Sequence, residues 1–250
     1  MTQLIFAANW KMHLGPDGAR KFMEAFLRDY EALPDREVWF FPPAVSVEAV
    51  ARSARGTPGI RVGAQNVHWE PKGAYTGELS VSMALEAGAE AGLVGHSERR
   101  HVFGESDEET ALKVAALLRH DLTPMLCVGE KIEEREAGDT LAVVERQLGA
   151  LSGLDIDPLS RVVVAYEPVW AIGTGKTATP ADAAEVHAFI RGWLGGRGVA
   201  PSDARILYGG SVKPDNIRSL VAEPEIDGVL VGGASLDPVA WGEMVRTPLD

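Results

Sequence analysis

The sequence of 250 residues holds a single cysteine, Cys127. No intrachain disulfide can form, so the fold must rest on its own core, as in a reducing compartment. Asparagine and glutamine are scarce, three of each. Arginine outnumbers lysine 17 to 7, which we read as the codon bias of a GC-rich genome, with heat adaptation as the alternative. Basic residues are in deficit: 24 Lys and Arg against 36 Asp and Glu leave a formal net charge of −12. That balance disfavours non-specific nucleic-acid binding, although a locally positive cleft can still take an anion. No apolar run approaches 18 residues. The first one, Leu4 to Ala8, is short and lacks a basic flank, so neither a membrane span nor a signal peptide is expected. The expected location is the cytoplasm.

What is present is an alternation. Short β-rich apolar runs occur at 4–10, 37–42, 60–65, 91–96, 123–128, 161–167, 205–209 and 228–232. Their nearly continuous apolar character suits strands buried on both faces. Between them lie amphipathic helical patterns. The pattern over 17–33 sets Phe22, Phe26, Leu27 and Tyr30 on one face, and that over 107–120 does the same with Leu112, Ala115, Ala116 and Leu118. The pattern over 179–194 opens with Thr179-Pro180, a cap residue followed by proline at the first helical position. Eight strand–helix units without a dividing linker predict one α/β domain, residues 1–250, built as a parallel (β/α)8 barrel. An open doubly wound sheet is the alternative.

Polar residues and glycines gather just after the strand candidates: Asn9 and Lys11, His96-Ser97-Glu98, Glu167, Gly209-Gly210-Ser211, and Gly232-Gly233. Barrel active sites form at this C-terminal face, with phosphate commonly bound after the last two strands. A small phosphorylated substrate is therefore expected. Two nucleotide motifs fail on inspection. Gly173-Thr174-Gly175-Lys176-Thr177 resembles the end of a P-loop, but the required earlier glycine is Trp170. Gly173, Gly175 and Ala178 fit a loose dinucleotide fingerprint, but no acidic residue stands about 20 residues on.

Five longer words converge on one family. They are Ala8-Asn9-Trp10-Lys11-Met12, Gly95-His96-Ser97-Glu98-Arg99-Arg100, and Ala165-Tyr166-Glu167-Pro168-Val169-Trp170 running on to Lys176. The last two are Tyr208-Gly209-Gly210-Ser211-Val212 and Val231-Gly232-Gly233-Ala234-Ser235-Leu236. In order and position they resemble the triosephosphate isomerase family over essentially the whole chain. The resemblance implies a cofactor-free and metal-free isomerase of glycolysis and gluconeogenesis. It would interconvert dihydroxyacetone phosphate and D-glyceraldehyde 3-phosphate through an enediolate. The family is itself the standard worked case of a carboxylate base beside a neutral histidine under a closing loop.

By that resemblance Glu167 is the base, His96 the donor to the substrate oxygen, and Lys11 the fixed positive charge. Asn9, Lys11, Gly173, Ser211, Gly232 and Gly233 bind substrate, with Ser97 and Glu98 in support and Glu98 pairing with Lys11. Residues 168–176 form a lid with hinges at Pro168 and at 176–178. Read alone, each residue has a plainer account: a surface glutamate, a packed histidine, a solvated lysine, glycines that merely turn. His13, His68, His101, His120 and His187 are read as structural or surface, and Cys127 as packed, not nucleophilic. His13 departs from the asparagine many relatives carry there. The loop from Gln65 to Leu79, with Tyr75-Thr76-Gly77-Glu78, resembles the family's interdigitating loop. It implies a homodimer with Thr76 reaching the partner's site. The rival functions are a lysine Schiff-base aldolase using Lys11 or Lys176, a non-catalytic sugar-phosphate binder, and a metal-dependent isomerase.

Overall fold

A computed structural model describes residues 3–172 and 178–249. Eight parallel strands close into a barrel in sequence order: β1 (Leu4–Asn9), β2 (Arg36–Phe41), β3 (Ile60–Ala64), β4 (Ala91–Val94), β5 (Thr123–Val128), β6 (Val163–Tyr166), β7 (Arg205–Tyr208) and β8 (Gly228–Val231). Closure is made by β1 on β8, with Ile5 opposite Gly228 and Ala8 opposite Val231. The expected barrel is thus the architecture, and the open sheet is not. Strand ends differ by a residue or two from the sequence reading; β6, for example, starts at Val163 instead of Arg161.

The strands are buried on both faces because the barrel separates two cores. Inside lie Ile5, Ala7, Trp39, Phe41, Ala91, Leu93, Met125, Cys127, Val163, Ala165, Leu207 and Leu230. The alternate residues, such as Phe6, Phe40, Leu126, Val164, Ile206 and Val229, face outward into the layer under the helices. This period of two follows from the strand pleat. Phe41 fills the interior over Gly63, where a Cβ would lie 2.3 Å from its ring.

The helices begin where their chemistry dictates. Asp107–Arg119 opens on a capping box between Ser106 and Glu109, and Pro180–Gly195 on one between Thr179 and Asp182. Such caps satisfy the first free N–H groups of a helix. The first helix, Pro16–Arg28, is shorter than the 17–33 expectation. Tyr30 leaves it to stack on Phe26, at 5.2 Å between ring centroids, and to donate to the Pro58 carbonyl. Pro34 further disfavours helix at Leu33. Among the described residues no helix is long and apolar enough to cross a membrane.

Candidate functional site

Continuing the inward phase of each strand past its end predicts which side chains reach the barrel mouth. Phase 5, 7, 9 on β1 delivers Asn9, phase 163, 165, 167 on β6 delivers Glu167, and β7 and β8 deliver Gly209 and Gly232. All four line one cavity of about 320 Å³, together with Lys11, His96, Ile172, Gly210, Ser211, Val212, Lys213, Leu230, Gly233 and Ala234. The structure therefore brings Asn9, Lys11, His96, Glu167, Ser211, Gly232 and Gly233 together at one cavity. Gly173 and Lys176 lie outside the described residues.

Strand β4 is the exception to simple phase. Ala91 and Leu93 point inward, so residue 95 should be next. That residue is Gly95, with φ +67°. Its left-handed turn, cheap only for glycine, advances the phase by one and puts His96 in the cavity. His96 then caps the helix Ser97–Val102, its Nδ1 accepting the Glu98 N–H at 3.3 Å. With Nδ1 an acceptor, the ring proton sits on Nε2, and Nε2 lies 3.0 Å from Glu167 Oε1.

Glu167 is buried, with 2% exposure. Its Oε2 accepts the Ser97 N–H at 2.8 Å, and the Ser97 hydroxyl lies 3.5 Å from Oε1. Burial alone would push its carboxyl up. His96, the Ser97 N–H and Lys11 outweigh burial and hold it below the ordinary carboxylate value. For His96, burial disfavours the charged ring, but the charges of Glu167 and Glu98 pull its pKa up, with Lys11 opposing.

Lys11 has φ +49°, a strained left-handed backbone for a side-chain-bearing residue. Asn9 Oδ1 accepts its N–H at 3.0 Å, and Gln65 Nε2 donates to its carbonyl at 2.8 Å. These bonds aim the ammonium, which pairs with Glu98 at 2.7 Å as expected. Lys11 also explains Gly232, where a Cβ would sit 3.2 Å from Lys11 Cε. The end of β8 is therefore both open to an anion and next to a cation.

Several supporting residues escaped the sequence reading. A Cβ on Gly129 would lie 1.8 Å from the Glu167 carbonyl oxygen. Gln147 binds both faces of Gly129, accepting its N–H at 2.6 Å and donating to its carbonyl at 3.1 Å. Fully buried Glu130 accepts from Tyr166 Oη and from Trp170 Nε1, at 3.1 and 2.8 Å. Arg135 lies over the Trp170 ring at 4.7 Å. None of these carries a local motif; each is a long-range contact. Cys127 is fully buried, and burial pushes its thiol up, as a packed residue requires. His187, read as structural or surface, is structural: it is completely buried. Among the described residues no group of three or more His, Cys, Asp or Glu is placed to hold a metal ion.

A family model described as triosephosphate isomerase matches residues 4–247. A protein of that name from Moorella thermoacetica is 51% identical over 98% of this chain and 99% of its own. One from Roseiflexus is 51% identical over 94% of both, and one from Aquifex aeolicus 47% identical over 98% and 99%. With a histidine and a carboxylate in contact at the mouth of an eight-stranded barrel, and a match spanning nearly every residue, the chain belongs to the triosephosphate isomerase family.

Proposed function

We propose that the chain interconverts dihydroxyacetone phosphate and D-glyceraldehyde 3-phosphate in glycolysis and gluconeogenesis, with Glu167, His96 and Lys11 as its catalytic residues. The observation that carries the residue roles is the 3.0 Å contact between His96 Nε2 and Glu167 Oε1, beside Lys11 and the glycine-rich ends of β7 and β8. The base and the donor already meet in the space where the two reacting carbons and their oxygens must fit.

The Glu167 carboxylate takes the proton from the carbon beside the carbonyl. The C–H electron pair becomes the enediolate double bond, and negative charge moves to the carbonyl oxygen. His96 Nε2–H and the Lys11 ammonium stabilise that oxygen. The hydroxyl proton passes to that oxygen, relayed through His96 Nε2, which leaves the other oxygen as the new carbonyl, and protonated Glu167 returns its proton to the carbon that was the carbonyl. Substrate entry separates Glu167 from His96 and so removes the main force raising the His96 pKa. Glu98 still pulls it up, but burial, the largest influence, and Lys11 both favour the neutral ring that the donor role needs.

The phosphate is held by backbone N–H groups at Ser211, Gly232, Gly233 and Gly173, with Asn9 setting the Lys11 backbone. Segment 168–176 is the lid. Its described start, Pro168 to Ile172, is tied to Glu130 through Trp170 and through the Val169 N–H, which donates to the Glu130 carbonyl at 3.1 Å. A Schiff-base reaction at Lys11 is disfavoured, because that amine is engaged by Glu98.

The active form is a cytoplasmic homodimer. Residues 71–78 stand exposed from the barrel. Met12, Val102 and Phe103, exposed by 93%, 73% and 66%, supply apolar surface that a partner covers. A second cavity of about 220 Å³ beside the site, lined by Lys11, Met12, Gln65, Glu98 and Phe103 among others, is the seat for the partner's Thr76.

The first experiment is turnover of glyceraldehyde 3-phosphate by the purified protein, without added metal or cofactor, beside Glu167→Asp. The shorter arm withdraws the carboxylate by about 1 Å, and a loss of about 10²-fold is expected. Ligand binding without turnover would leave only a sugar-phosphate binder. Chain mass in solution, by light scattering, tests the dimer.

A further inference from the structure

The pairing of β4 with β5 runs from Ala91 opposite Thr123 to Val94 opposite Leu126 and then stops. The next two carbonyls, on Gly95 and Cys127, have lost the ladder. A single guanidinium takes over. Arg100 Nε donates to the Gly95 carbonyl at 2.7 Å and Nη2 to the Cys127 carbonyl at 3.2 Å, while Nη1 pairs with Asp107 Oδ1 at 2.6 Å. Its side chain is 7% exposed. The other side of Gly95 is held as well: its N–H donates to Glu105 Oε1 at 2.8 Å. Glu105 is itself buried and fixed by Lys113 at 2.6 Å and Arg99 at 3.1 Å. The two peptide groups flanking Gly95 are thus each bound by a buried ionic side chain.

Gly95 is the residue whose left-handed turn decides whether His96 faces the cavity. We propose that Arg100 is a positioning residue for the isomerisation: its forked guanidinium, opposed by Glu105, locks the Gly95 turn and so fixes the direction of His96 Nε2. The proposal rests on the donor role given to His96. A lysine cannot reproduce the fork, because an ammonium is a point donor and cannot span the two carbonyls and Asp107 in one plane. A loosened turn lets His96 swing while leaving the phosphate grip at β7 and β8 unchanged. The signature is therefore a loss in kcat without a matching change in KM.

The test is steady-state turnover of glyceraldehyde 3-phosphate by Arg100→Lys, Arg100→Met, Arg146→Met and His96→Gln. Arg146 pairs with Asp107 from the outer side and reports on the ion pair without the turn. Arg100→Lys is expected to lose kcat by about 10- to 100-fold, with KM within about 2-fold and Arg146→Met close to wild type. The same variant should shift the Glu98 amide and His96 ring-nitrogen resonances in ¹⁵N spectra. The proposal is overturned if Arg100→Lys keeps kcat within about 2-fold, if Arg146→Met loses as much, or if kcat and KM move together. Arg100→Lys retains a cation and carries the test if Arg100→Met does not fold. Unimpaired turnover by His96→Gln would overturn the donor role and this proposal with it. Loss in His96→Gln but not in Arg100→Lys would remove only the positioning role.

Discussion

The ends of β4 and β6 supply the two groups proposed to react, His96 and Glu167, by opposite means. On β6 the inward phase simply continues from Val163 and Ala165 to Glu167. Its backbone is set by the Glu167 N–H donating to the Val128 carbonyl at 2.7 Å and by close approach to Gly129. That neighbour is held by a neutral amide, Gln147. On β4 the phase must shift, and the shift is pinned by charge, through Arg100 and Glu105. The difference suits the role proposed for each group. A donor must stay put, and buried charge-assisted hydrogen bonds are the stiffer fixture. The base adjoins a segment proposed to open and close, so its carboxylate rests on replaceable contacts, the Ser97 N–H and His96.

The largest effect should come from Glu167→Gln, which keeps the shape but removes the base. A kcat loss of about 10³- to 10⁴-fold is expected. His96→Gln should lose less, about 10²- to 10³-fold, because one donor goes while Lys11 remains. If the order reverses, the assignment of base and donor is wrong. The two glycines separate next. In Gly129→Ala the new Cβ meets the Glu167 backbone, which cannot turn aside, and destabilisation of about 3 kcal/mol is expected. In Gly95→Ala the obstacle is the Arg100 side chain, 2.6 Å away, plus about 1–2 kcal/mol of left-handed strain. Urea melts of the two variants, measured beside kcat, would rank them. Equal stability losses would contradict the contrast between the two strand ends.

Acid provides a third comparison. Glu167 is held below its ordinary value of 4.5, so its stabilising effect is present above that pH and is lost as pH falls through the folded pKa. Titration of the Glu167 carboxyl in the free protein, followed by its ¹³C resonance, should therefore centre below pH 4.5, and a midpoint well above it would contradict the hydrogen-bonded carboxylate. His187 behaves differently. It packs edge-on against Tyr166 with ring centroids 6.0 Å apart, and its Nδ1 lies 3.1 Å from the Glu225 carbonyl. Among the described residues its buried Nε2 has no hydrogen-bond partner. Burial pushes its pKa down to about 3 from 6.5. The unfolded chain then binds the proton more readily, so stability falls progressively from pH 6.5 toward pH 3. The total is on the order of 3–5 kcal/mol. His187→Gln should flatten that part of the stability profile. The smallest effects belong to the helix caps that follow β4 and β6: Ser106→Ala and Thr179→Ala should each cost about 1 kcal/mol and leave kcat unchanged.

Much of the molecule was legible in the chain. Eight apolar runs with helical patterns between them dictate a parallel barrel, because a strand buried on both faces must be apolar throughout and a parallel neighbour needs a crossover. Once the barrel is granted, period two alone sends Asn9, Glu167, Gly209 and Gly232 to one mouth. His96 shows where that logic stops. Simple phase would have placed Gly95 in the cavity, and only the observed turn explains the histidine. Arg100, Glu105, Gly129, Gln147 and Glu130 were illegible for a related reason. Arg100 and Glu105 grip the Gly95 peptide groups, five and ten residues away, through a loop geometry that no pattern signals, while Gly129, Gln147 and Glu130 act through contacts that only folding brings near. Local sequence set the elements and their inward faces, because propensity and pleat are short-range properties. Which carbonyl meets which guanidinium, and how far His96 turns, only the tertiary structure decided, because those contacts exist only once the barrel has closed.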